Sequence, residues 1–182
     1  MSLRLIVLMS VLFSGLAWFS VACAESDEFK GSAEEREKLV AEITQQRMAI
    51  EARKSTLKQQ EVSTAKLNER IKQKWSKIHF YSENGELVRV KTYPHPGIST
   101  RTEEFYYQDG DLIFAYIEDD GTTEDETGGA HQDGKEYYYH KGQFVEEKNM
   151  SGEKEYSIRH SDEERLEAEA TEYQDIFNSL KQ

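Results

Sequence analysis

Three stretches of this chain repeat one pattern, and that pattern limits the folds open to it. They are Phe80-Tyr81-Ser82-Glu83-Asn84-Gly85-Glu86-Leu87-Val88, Phe105-Tyr106-Tyr107-Gln108-Asp109-Gly110-Asp111-Leu112-Ile113 and Tyr137-Tyr138-Tyr139-His140-Lys141-Gly142-Gln143-Phe144-Val145. Each begins with aromatic residues, reaches a glycine and continues with an apolar pair. Asn-Gly and Asp-Gly are the strongest two-residue hairpin turns, because both central residues must take positive φ. Lys-Gly is a weaker turn in the same place. The glycines lie 25 and 32 residues apart, so these are hairpin repeats joined by loops of different length.

Pairing across two-residue turns assigns the side chains to two faces. One carries Ile78, Phe80, Leu87, Phe105, Tyr107, Leu112, Phe114, Tyr116, Tyr137, Tyr139 and Phe144. The other carries His79, Tyr81, Val88, Val90, Tyr106, Ile113, Ala115, Ile117, Tyr138 and Val145. The first is richer in large aromatics and reads as the core face. The second is too apolar for plain surface, so part of it needs a cover.

Two helices are available for these jobs. Residues 32–77 hold no Gly or Pro and open with a capping box, Ser32-Ala33-Glu34-Glu35. Their composition favours a long helix over 32–77, roughly 65–70 Å if straight. Ile43, Ile50, Leu57, Thr64, Ile71 and Ile78 fall seven apart, but the companion seam is mostly polar. The expectation is a helix packed along one narrow face, with Leu67, Ile71 and Trp75 its most buried part. A break is open at Ser55-Thr56 or Ser63-Thr64, and self-association through residues 32–78 is an alternative. At the other end, Ser161-Asp162-Glu163-Glu164 is a second capping box. Leu166, Ala170, Tyr173, Phe177 and Leu180 follow at helical spacing, predicting an amphipathic helix over 161–182. The predicted fold is α+β: a long N-terminal helix, an antiparallel meander of about six strands over 78–148, a linker over 149–160 and the C-terminal helix.

The first 24 residues read as an export signal. Arg4 precedes an uncharged apolar run from Leu5 to Val21, and Ala22-Cys23-Ala24 ends it. Two cleavage routes compete. An A-x-A site gives a soluble chain starting at Glu25, with a linker over 25–31. Alternatively, Phe19 to Cys23 resembles a lipobox with Ser20 in place of the usual Leu, which makes Cys23 a lipidated N-terminus. Either way the exported chain is periplasmic or secreted, or an outer-membrane lipoprotein. Cys23 is the single cysteine, so no internal disulfide, cysteine-based metal site or cysteine nucleophile is expected.

Charge is unevenly placed. Residues 32–77 hold 11 basic and 7 acidic side chains, net +4; residues 79–182 hold 10 and 25, net −15. An acidic body argues against nucleic-acid binding and against adsorption to anionic lipid. Its acidic loop, with Glu118, Asp119, Asp120, Glu124, Asp125 and Glu126, suggests a possible calcium site, although the alternate-residue spacing of an EF-hand is missing. None of the five histidines pairs at helical i, i+4 spacing. His79 and His140 lie on strands and could meet through the sheet, but ordinary strand histidines are commoner than zinc ligands. Glu104, amid aromatics, is the carboxylate to examine for a raised pKa, or else it partners Arg89 or Arg101. Tyr81, Tyr106 and Tyr138 form a candidate exposed binding face for protein or glycan. No P-loop, G-x-S-x-G or H-E-x-x-H motif is present, so no catalytic residue, cofactor or metal ligand is assigned.

Over about 78–148 the aromatic–Gly hairpins resemble the tandem β-hairpin repeats of the YwqK/MORN-like kind in bacterial proteins. They are also similar to the Gly-turn meanders of small periplasmic PepSY-like and inhibitor-like domains, in which helices flank a sheet. The second-half G-x-G of MORN repeats is missing. The resemblance implies a repeat-built sheet with interaction functions and assigns no residue roles. The expected function is a non-enzymatic module that binds protein or another envelope component. The alternatives are a hydrolase using sheet carboxylates and a structural protein assembling through the long helix.

Overall fold

The hairpin turns set the architecture. In a computed structural model describing residues 29–97, 101–119, 133–149 and 161–181, both central residues of each turn have positive φ: Asn84 53° and Gly85 86°, Asp109 54° and Gly110 89°, Lys141 52° and Gly142 74°. These are type I′ turns, whose twist matches that of the flanking strands. They close β2 (Trp75–Glu83) onto β3 (Glu86–Pro94), β4 (Thr102–Gln108) onto β5 (Asp111–Asp119), and β6 (Asp133–His140) onto β7 (Gln143–Asn149).

Each hairpin also carries a bulge in the same place. Register runs from Ser82↔Leu87 to Tyr81↔Arg89, from Tyr107↔Leu112 to Tyr106↔Phe114, and from Tyr139↔Phe144 to Tyr138↔Glu146. Val88, Ile113 and Val145, each three residues past its glycine, are the extra residues. An extra residue reverses the in–out alternation beyond it. The face assignment drawn from plain two-residue pairing is therefore corrected past each bulge. Val90, Ala115 and Ile117 join the face of Phe80 and Phe105, while Phe114 and Tyr116 join the face of Tyr81 and Tyr106.

The sheet has seven strands, not six, in the order β1-β2-β3-β4-β5-β6-β7, every neighbour antiparallel. The additional strand, β1 (Lys58–Ser63), comes from within the expected long helix. That helix ends far earlier than 77: α1 covers Ala33–Ala52. Its start is as expected, with the Ser32–Glu35 capping box formed in both directions. It stops at a short 3₁₀ turn over Lys54–Thr56, where the Thr56 hydroxyl donates to the Arg53 carbonyl at 2.7 Å. A Thr side chain competing for a main-chain carbonyl favours such an ending, and Leu57 then turns inward. The chain pairs with β2, passes a second 3₁₀ turn at Thr64–Lys66, and forms the one-and-a-half-turn α2 (Glu69–Lys74), capped by Asn68 accepting from the Ile71 amide. All six residues of the seven-residue seam are buried, but against their own sheet. One continuous helix over 32–78 does not form, and its seven-residue seam packs within this chain.

The sheet is packed on both faces. On one side α3 (Ser161–Ser179) lays Leu166, Ala170, Tyr173 and Phe177 over Phe80, Phe105, Tyr107 and Tyr137, with Ile71 and Trp75 closing one flank. The Trp75 indole donates to the Tyr173 hydroxyl at 2.9 Å, and the Tyr107 hydroxyl donates to the Ala170 carbonyl at 3.0 Å. On the other side α1 lays Val40, Ile43 and Ile50 over Tyr81, Tyr106, Phe114 and Tyr138. Phe29, inside the expected 25–31 linker, belongs to this layer; its amide donates to the Phe144 carbonyl at 2.9 Å.

Candidate functional site

The helix α1 is too short to cover its face of the sheet. Twenty residues reach about 30 Å, and α1 crosses the sheet obliquely, from beside Glu146 and Lys148 on β7 to Glu83 next to the first turn. Arg47 sits over the Phe114 ring at 4.9 Å, Glu51 meets Arg89 at 3.0 Å, and Arg53 meets Glu83 at 3.2 Å. Tyr81, Tyr106 and Tyr138 lie beneath it, with 5%, 3% and 3% of their surface exposed. They are core residues, which corrects their reading as an exposed binding face. The second face does carry a cover, as its apolar content requires.

A buried charge cluster marks the margin of α1. Arg89, 1% exposed, directs Nη2 to Glu104 Oε2 at 2.7 Å and lies over the Tyr81 ring at 4.8 Å. Lys91 Nζ reaches Glu104 Oε1 at 2.7 Å. The Tyr106 hydroxyl, 2.7 Å from Glu104 Oε2 and 2.9 Å from Glu51 Oε1, donates to one carboxylate at a time. Burial alone would push the Glu104 carboxyl up, as its setting amid aromatics suggested. The charge of Arg89, with Lys91 and Tyr106, outweighs burial and holds it at about 2. Glu104 is thus a fixed carboxylate and not a raised-pKa acid; its partner is Arg89, while Arg101 pairs with Glu103.

Beyond α1, among the described residues, the same face carries polar and aromatic side chains. Glu61 Oε2 accepts from His79 Nε2 at 2.7 Å. His79 Nδ1 is 3.2 Å from Gln59 Nε2 and 3.2 Å from the Tyr93 hydroxyl. An amide nitrogen only donates, so Nδ1 is the acceptor and the imidazole carries its proton on Nε2, toward Glu61. Lys77 and Lys91 lie over the Tyr93 ring at 4.9 and 5.8 Å. Burial raises the Tyr93 phenol above its ordinary value, so it stays a hydroxyl. Two strands away Tyr116 is half-buried, leaning across the sheet over Gly134. A Cβ on that glycine would come within 2.5 Å of the Tyr116 hydroxyl oxygen. Each of these residues is on this face because of strand alternation and the register Glu61↔His79↔Lys91↔Glu104↔Tyr116.

The opposite face holds two carboxylates in contact. Glu103, with no exposed surface, accepts from Lys74 at 3.1 Å, Arg101 at 2.7 Å and Arg165 at 3.1 Å. Glu169 on α3 accepts from Lys74 at 2.8 Å and Arg165 at 3.1 Å. Burial would raise both carboxyls. The three cations reverse this for Glu103, whereas the neighbouring charge of Glu103 pushes Glu169 further up. The group joins α2, β4 and α3 through two buried carboxylates and clasps the helices to the sheet.

Among the described residues, no group of three or more His, Cys, Asp or Glu side chains is placed to hold a metal. No described helix is long and apolar enough to cross a membrane. Glu118 and Asp119 end β5, where Glu118 accepts from the Thr102 hydroxyl at 3.3 Å. Asp120, Glu124, Asp125, Glu126 and Cys23 lie outside the described residues, as do the 1–24 segment and most of the 149–160 linker. His140 ends β6, far from His79 on β2, so the two histidines do not meet. A shallow groove of about 780 Å³ runs between α1 and β7, lined by Arg36, Val40, Thr44, Glu146 and Lys148 among others. Sequence reasoning missed Glu61 and Gln59, which were read as helical. It offered His79 only His140 as a neighbour, because the pairing with Glu61 and Gln59 needs β1. Comparison of the chain with protein families, with curated proteins and with solved structures gives no match.

Proposed function

We propose that this is an exported, non-enzymatic binding module, periplasmic, secreted or tethered through Cys23, which engages a protein or another envelope component through the part of its sheet face that no described helix covers. The observation that carries this reading is the strip itself. Its side chains are held in fixed positions by each other: Gln59 and Glu61 by His79, Tyr93 by His79, and Lys91 by Glu104. They stand on strands of a sheet packed on its other face by α3. Preorganised side chains on regular elements lose little entropy on binding.

The hydrolase alternative has less to draw on. Acid–base catalysis requires a carboxyl tuned toward neutrality and open to substrate. Glu104 is held low, and Glu103 and Glu169 are buried in ion pairs with Lys74 and Arg165. The reading is tested by capture from an envelope extract of the producing organism on immobilised exported chain, in parallel with a Lys77→Glu, Tyr93→Ala double variant. Components retained by the natural chain and lost by the folded variant support it. Identical capture by both contradicts it.

A further inference from the structure

We infer that α3 is held on the sheet by a proton-tightened contact: uptake of protons by Glu169 and Glu167 fastens this helix in mild acid, whereas stronger acid releases the clasp at the margin of α1. The helix α3 carries seven acidic side chains and one basic, Arg165. Two of the seven turn onto the sheet. A buried carboxylate is stable as an ion only where a counter-charge of its own faces it.

Glu169, 6% exposed, has no cation to itself. Lys74 Nζ lies 2.8 Å from Glu169 Oε1 and 3.1 Å from Glu103 Oε2, and Arg165 Nη1 lies 3.1 Å from an oxygen of each. Arg101 adds its charge to Glu103 at 2.7 Å, while Asp162 draws on the Nε side of Arg165 at 3.5 Å. From α2, Arg70 is engaged by Glu172. The Tyr173 hydroxyl beside the pair accepts from the Trp75 indole. Thr92 fixes Glu103 from β3 through its main-chain amide and carbonyl, both at 3.1 Å. Glu103 thus takes the larger share of positive charge. Two carboxylates sharing one site resist ionising together. Burial and the charge of Glu103 accordingly push the Glu169 carboxyl up, while Lys74, Arg165 and Arg101 overcome burial and hold Glu103 down. A proton entering the pair settles on Glu169 and leaves Glu103 ionised among its three cations.

Glu167 lies farther along the β6 side of the same helix. Its Oε1 is shut away from solvent without a hydrogen-bond partner. Beneath α3, β6 presents the phenols of Tyr137 and Tyr139, whose hydroxyls are also buried and unpartnered. Burial and the charge of Glu167 push the Tyr139 phenol up. Burial and the charge of Glu164 push the Glu167 carboxyl up. An ionised oxygen buried without a donor is costly, and protonation removes that cost. A carboxyl whose folded-state value lies above the unfolded one contributes stability that is full below about pH 4.5 and lost as pH rises through the folded value. Glu104 has the opposite sign, since its contribution is lost as pH falls through about 2. The two faces of the sheet are therefore held by clasps that answer pH in opposite directions.

The test is amide hydrogen exchange on the full exported chain at about pH 4.5 and about pH 7.5, read as protection factors corrected for intrinsic rate. A Glu167→Gln, Glu169→Gln double variant is measured beside it; the amides keep both side-chain shapes and do not titrate. Protection across α3 should be several-fold higher at the lower pH in the natural chain and the same at both in the variant. Equal or lower protection at the lower pH in the natural chain, or an undiminished pH difference in the variant, would overturn the inference. Should the variant fail to fold, a carbon-13 titration of the natural chain's carboxyl groups decides. Midpoints of Glu167 and Glu169 both above the ordinary 4.5 support it, and either one at or below that value overturns it.

Discussion

Glu104 shows how a single residue is decided by its neighbours. Burial pushes its carboxyl up, yet Arg89 and Lys91 hold it at about 2, against an ordinary value of 4.5. At about 1.4 kcal/mol per unit this is on the order of 3 kcal/mol of stabilisation. A folded-state value below the unfolded one contributes fully above about pH 4.5 and is lost as pH falls through about 2. Glu104→Gln should therefore lower stability by about 3 kcal/mol at pH 7, a loss typical of breaking a buried pair. The gap to the natural chain should narrow between pH 4.5 and 2, as read by urea unfolding across that range. A gap independent of pH would contradict the assignment. Gly134 is the second such residue. Gly134→Ala puts a Cβ 2.5 Å from the Tyr116 hydroxyl oxygen, and the flexible end of that side chain relieves it by moving; the thermal midpoint should fall by the equivalent of about 1 kcal/mol or less, while the Tyr116 ring resonances shift. Unshifted Tyr116 resonances would show that the ring does not rest there. Neither residue's role is legible in sequence: Glu104 stands out there only as a carboxylate among aromatics, and Gly134 only as part of a loop.

At the scale of elements, the legible parts are those with local causes. The three I′ turns follow from Asn-Gly, Asp-Gly and Lys-Gly, and α3 from its apolar spacing and acidic first turn. The start of α1 follows from its capping box. Lys141 is the least suited residue at a position of φ 52°. Lys141→Asn should stabilise the third hairpin by about 0.5–1 kcal/mol, since Asn tolerates that conformation better; a denaturation midpoint that falls instead would contradict the turn geometry. The illegible parts have distant causes. Lys58–Ser63 has the composition of a helix, and becomes β1 because the edge of β2 offers backbone partners and because Glu61 and Gln59 find His79. Bulges at Val88, Ile113 and Val145 cannot be read from alternation alone. Before the bulge, alternation matches the structure; beyond it, the faces of Val90, Phe114, Ala115, Tyr116 and Ile117 are all reversed.

At the scale of the whole molecule, the two helices divide the work. α3 covers one face, clasped by the Lys74–Glu103–Arg165–Glu169 group. α1 covers half of the other, so the tyrosines expected to be exposed are core, and a different set, Tyr93 and Tyr116, lies beside the helix. The candidate surface was thus recognisable in kind, a tyrosine-bearing sheet face, but misplaced by the length of one helix. The central claim is that the part of this face that no described helix covers is where the protein meets its ligand. Photo-crosslinking in the producing cells tests it most directly, with a benzophenone side chain at Lys77 on the strip or at Thr171 on the outer side of α3. The account predicts adducts from position 77 and none from 171. Adducts from 171 alone, or equal adducts from both, would contradict it.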